Sequence, residues 1–288
     1  MRRSAIGRRG ILAAAFFCAL PLGAHPGTGI VRDARGNVFY TDLLRVWRID
    51  PDGRKTIAVR NVHTHELCLD ADGNLFGEHL WYEGEATDTW GCRVWRLAAN
   101  GVLSEVVPPR KGFRKEYSFV RDGAGNMYRA QPGSPTRIEK RTPGGALSIL
   151  AECGDCREVR GMTATAEGTV LFLDAGDLRE VSPAGRLRTI TRRLSRRVWT
   201  QPHVSEQHAL MGIWTDAAGN AYVASYGSRE VKRISRTGDV RVVARSRVPW
   251  SPTGGLVTAG GDLWLLESSM TNAVRVRRVA RDGPETIF

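Results

Sequence analysis

Short runs in which apolar and polar residues alternate recur along the whole chain, and almost no stretch keeps the three-to-four-residue spacing of an amphipathic helix. Asn37-Val-Phe-Tyr-Thr41, Val46-Trp-Arg-Ile49 and Asn220-Ala-Tyr-Val-Ala224 are typical. Each is short, rich in β-branched or aromatic side chains and bounded by turn residues, which predicts strands. Thr191–Val198 is the one weak helix candidate.

The turns between these runs repeat. Asp33-Ala-Arg-Gly-Asn37, Asp70-Ala-Asp-Gly-Asn74, Asp122-Gly-Ala-Gly-Asn126 and Asp216-Ala-Ala-Gly-Asn220 share one signature, and Thr165–Thr169 and Thr258–Asp262 are degenerate copies. A second turn follows in each unit, at Gly53, Gly101, Gly145, Gly185, Gly238 and Gly283. Each unit therefore reads as four short antiparallel strands, A to D. A four-stranded sheet of this size cannot cover both of its faces, so the copies must pack face to face around an axis. The predicted fold is all-β: a six-bladed β-propeller of four antiparallel strands per blade. With an A strand near Thr28 and a D strand near Phe288, the ring is expected to close by packing of the first blade on the last, without exchange of a strand.

The ends of the chain and its charge refine this picture. Residues 1–24 run from a basic stretch ending at Arg9, through apolar Ile11–Leu22, to small Gly23-Ala24, the pattern of an export signal. Twelve apolar residues fall short of the roughly 20 needed to span a bilayer. The expectation is a periplasmic or secreted protein with a single propeller domain at 25–288 and no integral membrane segment after processing. Of 42 Lys and Arg residues four lie in the leader, leaving 38 against 30 acids, a net +8. That balance favours an anionic small-molecule partner. No nucleic-acid-binding motif accompanies it. Four cysteines remain after the leader. Cys153 and Cys156 are expected to form a local disulfide, while Cys68 and Cys92, two strands apart in one blade, are expected not to pair.

The repeat pattern resembles the NHL-repeat and SMP-30/gluconolactonase-like six-bladed propellers over all six units, from about residue 27 onward. The resemblance implies the propeller fold and, for the lactonases of the group, a cation held by a Glu opening one innermost strand, an Asn before another and an Asp ending a second strand. In the fifth unit Met211 and Ser225 stand where that Asn and Asp are expected.

The D-to-A and B-to-C connections of a propeller share one end, here called the top, and all six histidines fall on it: His25, His63, His65, His79, His203 and His208. Blade two holds His63-Thr-His65-Glu66 and Glu78-His79. Pairing positions that sum to 144 would set His79 opposite His65 and Glu78 opposite Glu66. Three imidazoles with a carboxylate have the chemistry of a divalent-cation site, of no particular metal, that activates water. The reading assigns His63, His65 and His79 as metal ligands, Glu66 or Glu78 as general base, Arg160 as anchor for an anionic group and His208 as general acid. A structural hydrogen-bond network is the competing account of the cluster, and a salt bridge to Asp174 that of Arg160. Two long top connections carry aromatics: Leu80–Gly91 with Trp81, Tyr82 and Trp90, and Thr191–Glu206 with Trp199. A basic rim is formed by Arg110, Lys111, Arg114, Lys115, Arg192, Arg193, Arg196 and Arg197.

The expected function is an exported, metal-dependent hydrolase or lyase of a small anionic or carbohydrate-like substrate, worked at the top of the central channel. The alternative is a non-catalytic propeller that binds a ligand or protein through the same rim.

Overall fold

Polar turns and apolar strands resolve into six sheets. The computed structural model describes residues 26–84, 89–112, 117–195 and 209–288. The leader, His25, Arg114, Lys115, Arg196, Arg197, Trp199, His203 and His208 lie outside the described residues. Blade one comprises β1 (Ile30–Arg32), β2 (Val38–Thr41), β3 (Arg45–Ile49) and β4 (Lys55–Arg60). Blade two follows with β5 (Leu67–Leu69), β6 (Leu75–Tyr82), β7 (Trp90–Leu97) and β8 (Leu103–Lys111). Blade three holds β9 (Met127–Gln131), β10 (Thr136–Arg141) and β11 (Leu147–Cys153). Blade four is β12 (Val159–Ala164), β13 (Val170–Asp174), β14 (Asp177–Val181) and β15 (Leu187–Thr191). Blade five is β16 (Ile213–Thr215), β17 (Ala221–Ser225), β18 (Glu230–Ile234) and β19 (Val240–Arg245). Blade six is β20 (Trp250–Val257), β21 (Leu263–Ser269), β22 (Val274–Val279) and β23 (Glu285–Ile287).

Each sheet is an antiparallel meander in chain order, and the whole is a six-bladed β-propeller. Among the described residues there is no helix, and Thr191, which opens the weak helix candidate, instead ends β15. Blade three departs from four strands. Its innermost segment is reduced to a single bridge, Arg121 to Met127, with Tyr128 N–H donating to the Val120 carbonyl at 3.1 Å.

The repeated turns behave as caps. The glycine of every A–B turn has positive φ, from 76° to 90°, a conformation that glycine adopts without a Cβ clash. In the four full copies the Asp carboxylate accepts the backbone N–H of the Asn four residues on, at 2.8–2.9 Å. Thr165 and Thr258 do the same with a hydroxyl in the degenerate copies. These carboxylates hold turns, as expected of Asx chemistry.

The core is six separate apolar seams, one between each pair of neighbouring blades. Ile30, Tyr40 and Ile49 of blade one pack on Trp264, Leu266 and Val276 of blade six, which closes the ring. Among the described residues, the first and last sheets are each built from consecutive strands of their own segment. Gly254 sits at this closure, where an added Cβ would lie 2.1 Å from the Thr28 carbonyl oxygen. The seam between blades two and three, built on Cys68, Val94 and Phe119, has the fewest buried members. It borders the blade that lacks a regular inner strand.

Candidate functional site

The six inner segments surround a central channel of about 730 Å³. Its charged lining residues are Arg32, Glu66, Arg121 and Arg160. Glu66 and Arg160 stand at the top, ahead of or within their inner strands, while Arg32 and Arg121 each precede an A–B turn at the bottom. Arg121 is engaged there by the Ser118 and Val120 carbonyls and the ring of Tyr117. Arg160 pairs with Glu158 and not with Asp174, which instead receives Arg179 at 3.3 Å.

In blade two the A–B register is the expected one over its strand: Leu67 opposes Gly77, Cys68 opposes Phe76 and Leu69 opposes Leu75. Above Leu67 the ladder stops and side chains take over the backbone groups. His63 N–H donates to His79 Nδ1 at 2.9 Å, and His65 N–H donates to Glu78 Oε1 at 2.8 Å. The Thr64 hydroxyl and the Trp95 indole both donate to the Glu78 carbonyl, and the Leu80 N–H donates to the His63 carbonyl. The His65 carbonyl receives Thr28 and Gly29 N–H from blade one, so this loop also ties two inner strands together.

Among the histidines and acids, the structure brings His63 and His65 together, with ring centroids 4.7 Å apart. It also sets Glu78, 2% exposed, with Oε1 3.6 Å from His65 Nδ1. His63 and His79 face a groove of about 470 Å³ between blades one and two, which also contains Arg45 and Arg60, rather than the channel. His79 stacks on Trp81 at 5.7 Å. Burial, followed by the neighbouring His65, pushes the His63 imidazole below its ordinary value, and burial followed by Arg93 does the same for His79. Both are therefore neutral at pH 7.

A divalent cation does not fit this arrangement as it stands. His79 Nδ1 is occupied by a backbone N–H, and Glu78 is bound to another. Among the described residues no group of three or more His, Cys, Asp or Glu is placed to hold one ion. At the two positions that the lactonase resemblance singles out, Met211 lines the channel and buried Ser225 receives the Ser228 hydroxyl.

Other top features are also partly corrected. Strands β6 and β7 extend through Tyr82 and from Trp90, so both ends of the expected loop at Leu80–Gly91 are paired strand. Tyr82 and Trp90 pack against each other at 4.9 Å. Within the basic rim, Lys111 pairs with Glu83 and Arg192 with Asp177, each at 3.5 Å. Cys153 and Cys156 form the expected disulfide, and Cys68 and Cys92 are not bridged to each other. The network around Asp174 and Arg179 escaped the sequence reading, although the alternation of Asp174, Asp177 and Arg179 in a short hairpin was the available signal.

Channel, blades and closing seam define the fold as a six-bladed β-propeller. No protein-family model matches the chain, and no curated protein matches it by sequence. Similar solved structures include virginiamycin B lyase from Staphylococcus aureus, 16% identical over 91% of this chain and 84% of that one, with a TM-score of 0.53. Regucalcin from Agrobacterium tumefaciens, a calcium-binding protein, is 17% identical over 85% and 82%, with a TM-score of 0.56. A gluconolactonase from Xanthomonas campestris is 14% identical over 86% and 84%, also at 0.56.

Proposed function

We propose that this chain is an exported propeller enzyme of the hydrolase or lyase type, acting by proton transfer on a small anionic or carbohydrate-like substrate at the channel mouth. The observation that carries the reading is the pair formed by buried Glu78 and His65, 3.6 Å apart and held by the Glu78 bond to the His65 backbone. A buried carboxylate beside Nδ1 favours the tautomer with its proton on that nitrogen and orients the ring. Nε2 is left to take a proton from, or return one to, a substrate. Glu66, the next residue, lines the channel with Arg160, whose planar guanidinium suits a carboxylate or phosphate.

The structural neighbours support the class of chemistry. Virginiamycin B lyase is catalytically inactive when one of its histidines is replaced by alanine. Export is supported by the leader pattern and by the Cys153–Cys156 disulfide, which an oxidising compartment maintains. A metal is not needed for this reading, and no step is assigned to one.

The test is turnover by the mature protein on carboxylate-bearing esters, lactones and elimination substrates. Wild type should turn over at least one, and His65→Ala should lower that rate about 10²–10⁴-fold with an unchanged melting curve. If wild type processes none of them, yet binds a carboxylate ligand that Arg160→Gln loses, the chain is a binding propeller and the enzyme reading fails.

A further inference from the structure

A second polar cavity, of about 260 Å³, opens over blade four, and its lining among the described residues is entirely charged: Asp155, Asp174, Asp177 and Arg157, Arg179, Arg192, Arg193. None of them lines the channel. Two of the acids are consumed by the fold. Asp174 is buried and accepts the Arg157 and Glu158 backbone N–H groups at 2.8 Å each. Asp177 accepts the Arg193 backbone N–H at 2.9 Å.

The third acid differs. Asp155 lies on the disulfide loop with its side chain 73% exposed, and it pairs with Arg179 Nη2 at 2.9 Å. Arg179 is the opposite kind of residue. Its side chain is 8% exposed, and among the described residues its buried Nε has no hydrogen-bond partner. An exposed carboxylate is thus seated on a buried guanidinium that still has a donor to offer.

We propose that this cavity is a binding site for a small oxyanion dianion of the phosphate or sulfate type, and that Asp155 is its internal stand-in. With Asp155 swung aside, four guanidiniums face two carboxylates, leaving two positive charges for a dianion to neutralise. Arg179 supplies a fixed fork from below, and Arg157 and Arg192, exposed at 62% and 69%, close over the ligand from the rim. The volume lies below the roughly 300–1,000 Å³ of sites for drug-sized molecules, which favours a compact ion. The inference is independent of the channel chemistry, since the two sites share no residue.

Calorimetric titration of the full mature protein with inorganic phosphate in low-salt buffer tests it. Wild type should bind one phosphate, sulfate should compete, and acetate, with a single charge, should bind about tenfold or more weakly. Arg157→Gln and Arg192→Gln, which touch little of the fold, should each weaken phosphate about tenfold. Asp155→Asn removes the stand-in and should tighten binding, whereas the same charge change at the opposite end, Asp72→Asn, should not. Absence of saturable binding up to about 10 mM phosphate would overturn the proposal. So would Asp155→Asn binding no better than Asp72→Asn, or arginine variants that bind like wild type.

Discussion

Blades two and four meet the same structural demand with different chemistry. In each, the chain enters the inner strand through a loop whose backbone N–H groups have no ladder partner. A side chain on the second strand reaches back to accept them. In blade four that side chain is Asp174, bonded to the N–H of Arg157 and Glu158 and backed by buried Arg179. In blade two the equivalent place belongs to His79, whose Nδ1 takes the His63 N–H while the ring stacks on Trp81. A carboxylate needs a cation nearby to remain buried, whereas a neutral imidazole needs none. Blade four is accordingly a charged, disulfide-closed corner, and blade two a titratable one in which Glu78 and His65 are left side by side.

The comparison can be broken at its strongest point first. Arg179→Met leaves Asp174 buried without its cation and should cost about 3–5 kcal/mol of stability by chemical denaturation. A cost below about 1 kcal/mol would show that the Asp174 backbone bonds suffice alone. Removing the Cys153–Cys156 bridge by a double serine replacement should cost about 2 kcal/mol at most, because the closed loop is very short. Non-reducing peptide mapping should return this pair and no Cys68–Cys92 peptide.

In blade two, His79→Ala strands the His63 N–H and should cost about 1–3 kcal/mol, while His79→Asp, which copies blade four, should recover part of it. Equal losses in both variants would mean that the Trp81 stacking, not the backbone bond, holds the corner. The smallest effect is acid sensitivity. Burial holds His63 and His79 below the usual histidine value, so the unfolded chain binds more protons than the folded one just below about pH 6.5. Their contribution is complete above that pH and is lost as pH falls through the folded values. The melting temperature should therefore drop from pH 7 to pH 5, less so in a His63→Gln/His79→Asp double variant.

The fold was legible because the repeat is a backbone requirement written into side chains. A positive-φ glycine after an Asp that caps its own turn recurs at Gly36, Gly73, Gly125 and Gly219, and Gly168 and Gly261 keep the glycine when the Asp becomes Thr. The site was legible only as a neighbourhood. Strand alternation sets His63 and His65 on one face, and their rings do meet. Yet the ladder ends at Leu67, and beyond it a local departure of the backbone decides which nitrogen meets which carboxylate. Periodicity carries no information on such a departure. For the same reason Glu78, expected opposite Glu66, turns its carboxylate to His65 instead.

The central claim is that the two imidazoles flanking this break have opposite roles, His65 oriented by Glu78 for proton transfer and His79 acting as a backbone cap. Long-range ¹H–¹⁵N correlation of the histidine ring nitrogens at pH 7 reads this directly. The account expects His79 as the neutral Nε2–H tautomer with an unprotonated Nδ1, and His65 with its proton on Nδ1 toward Glu78. A His79 ring protonated on Nδ1, or a His65 ring whose Nδ1 signal is unchanged by Glu78→Gln, would contradict it.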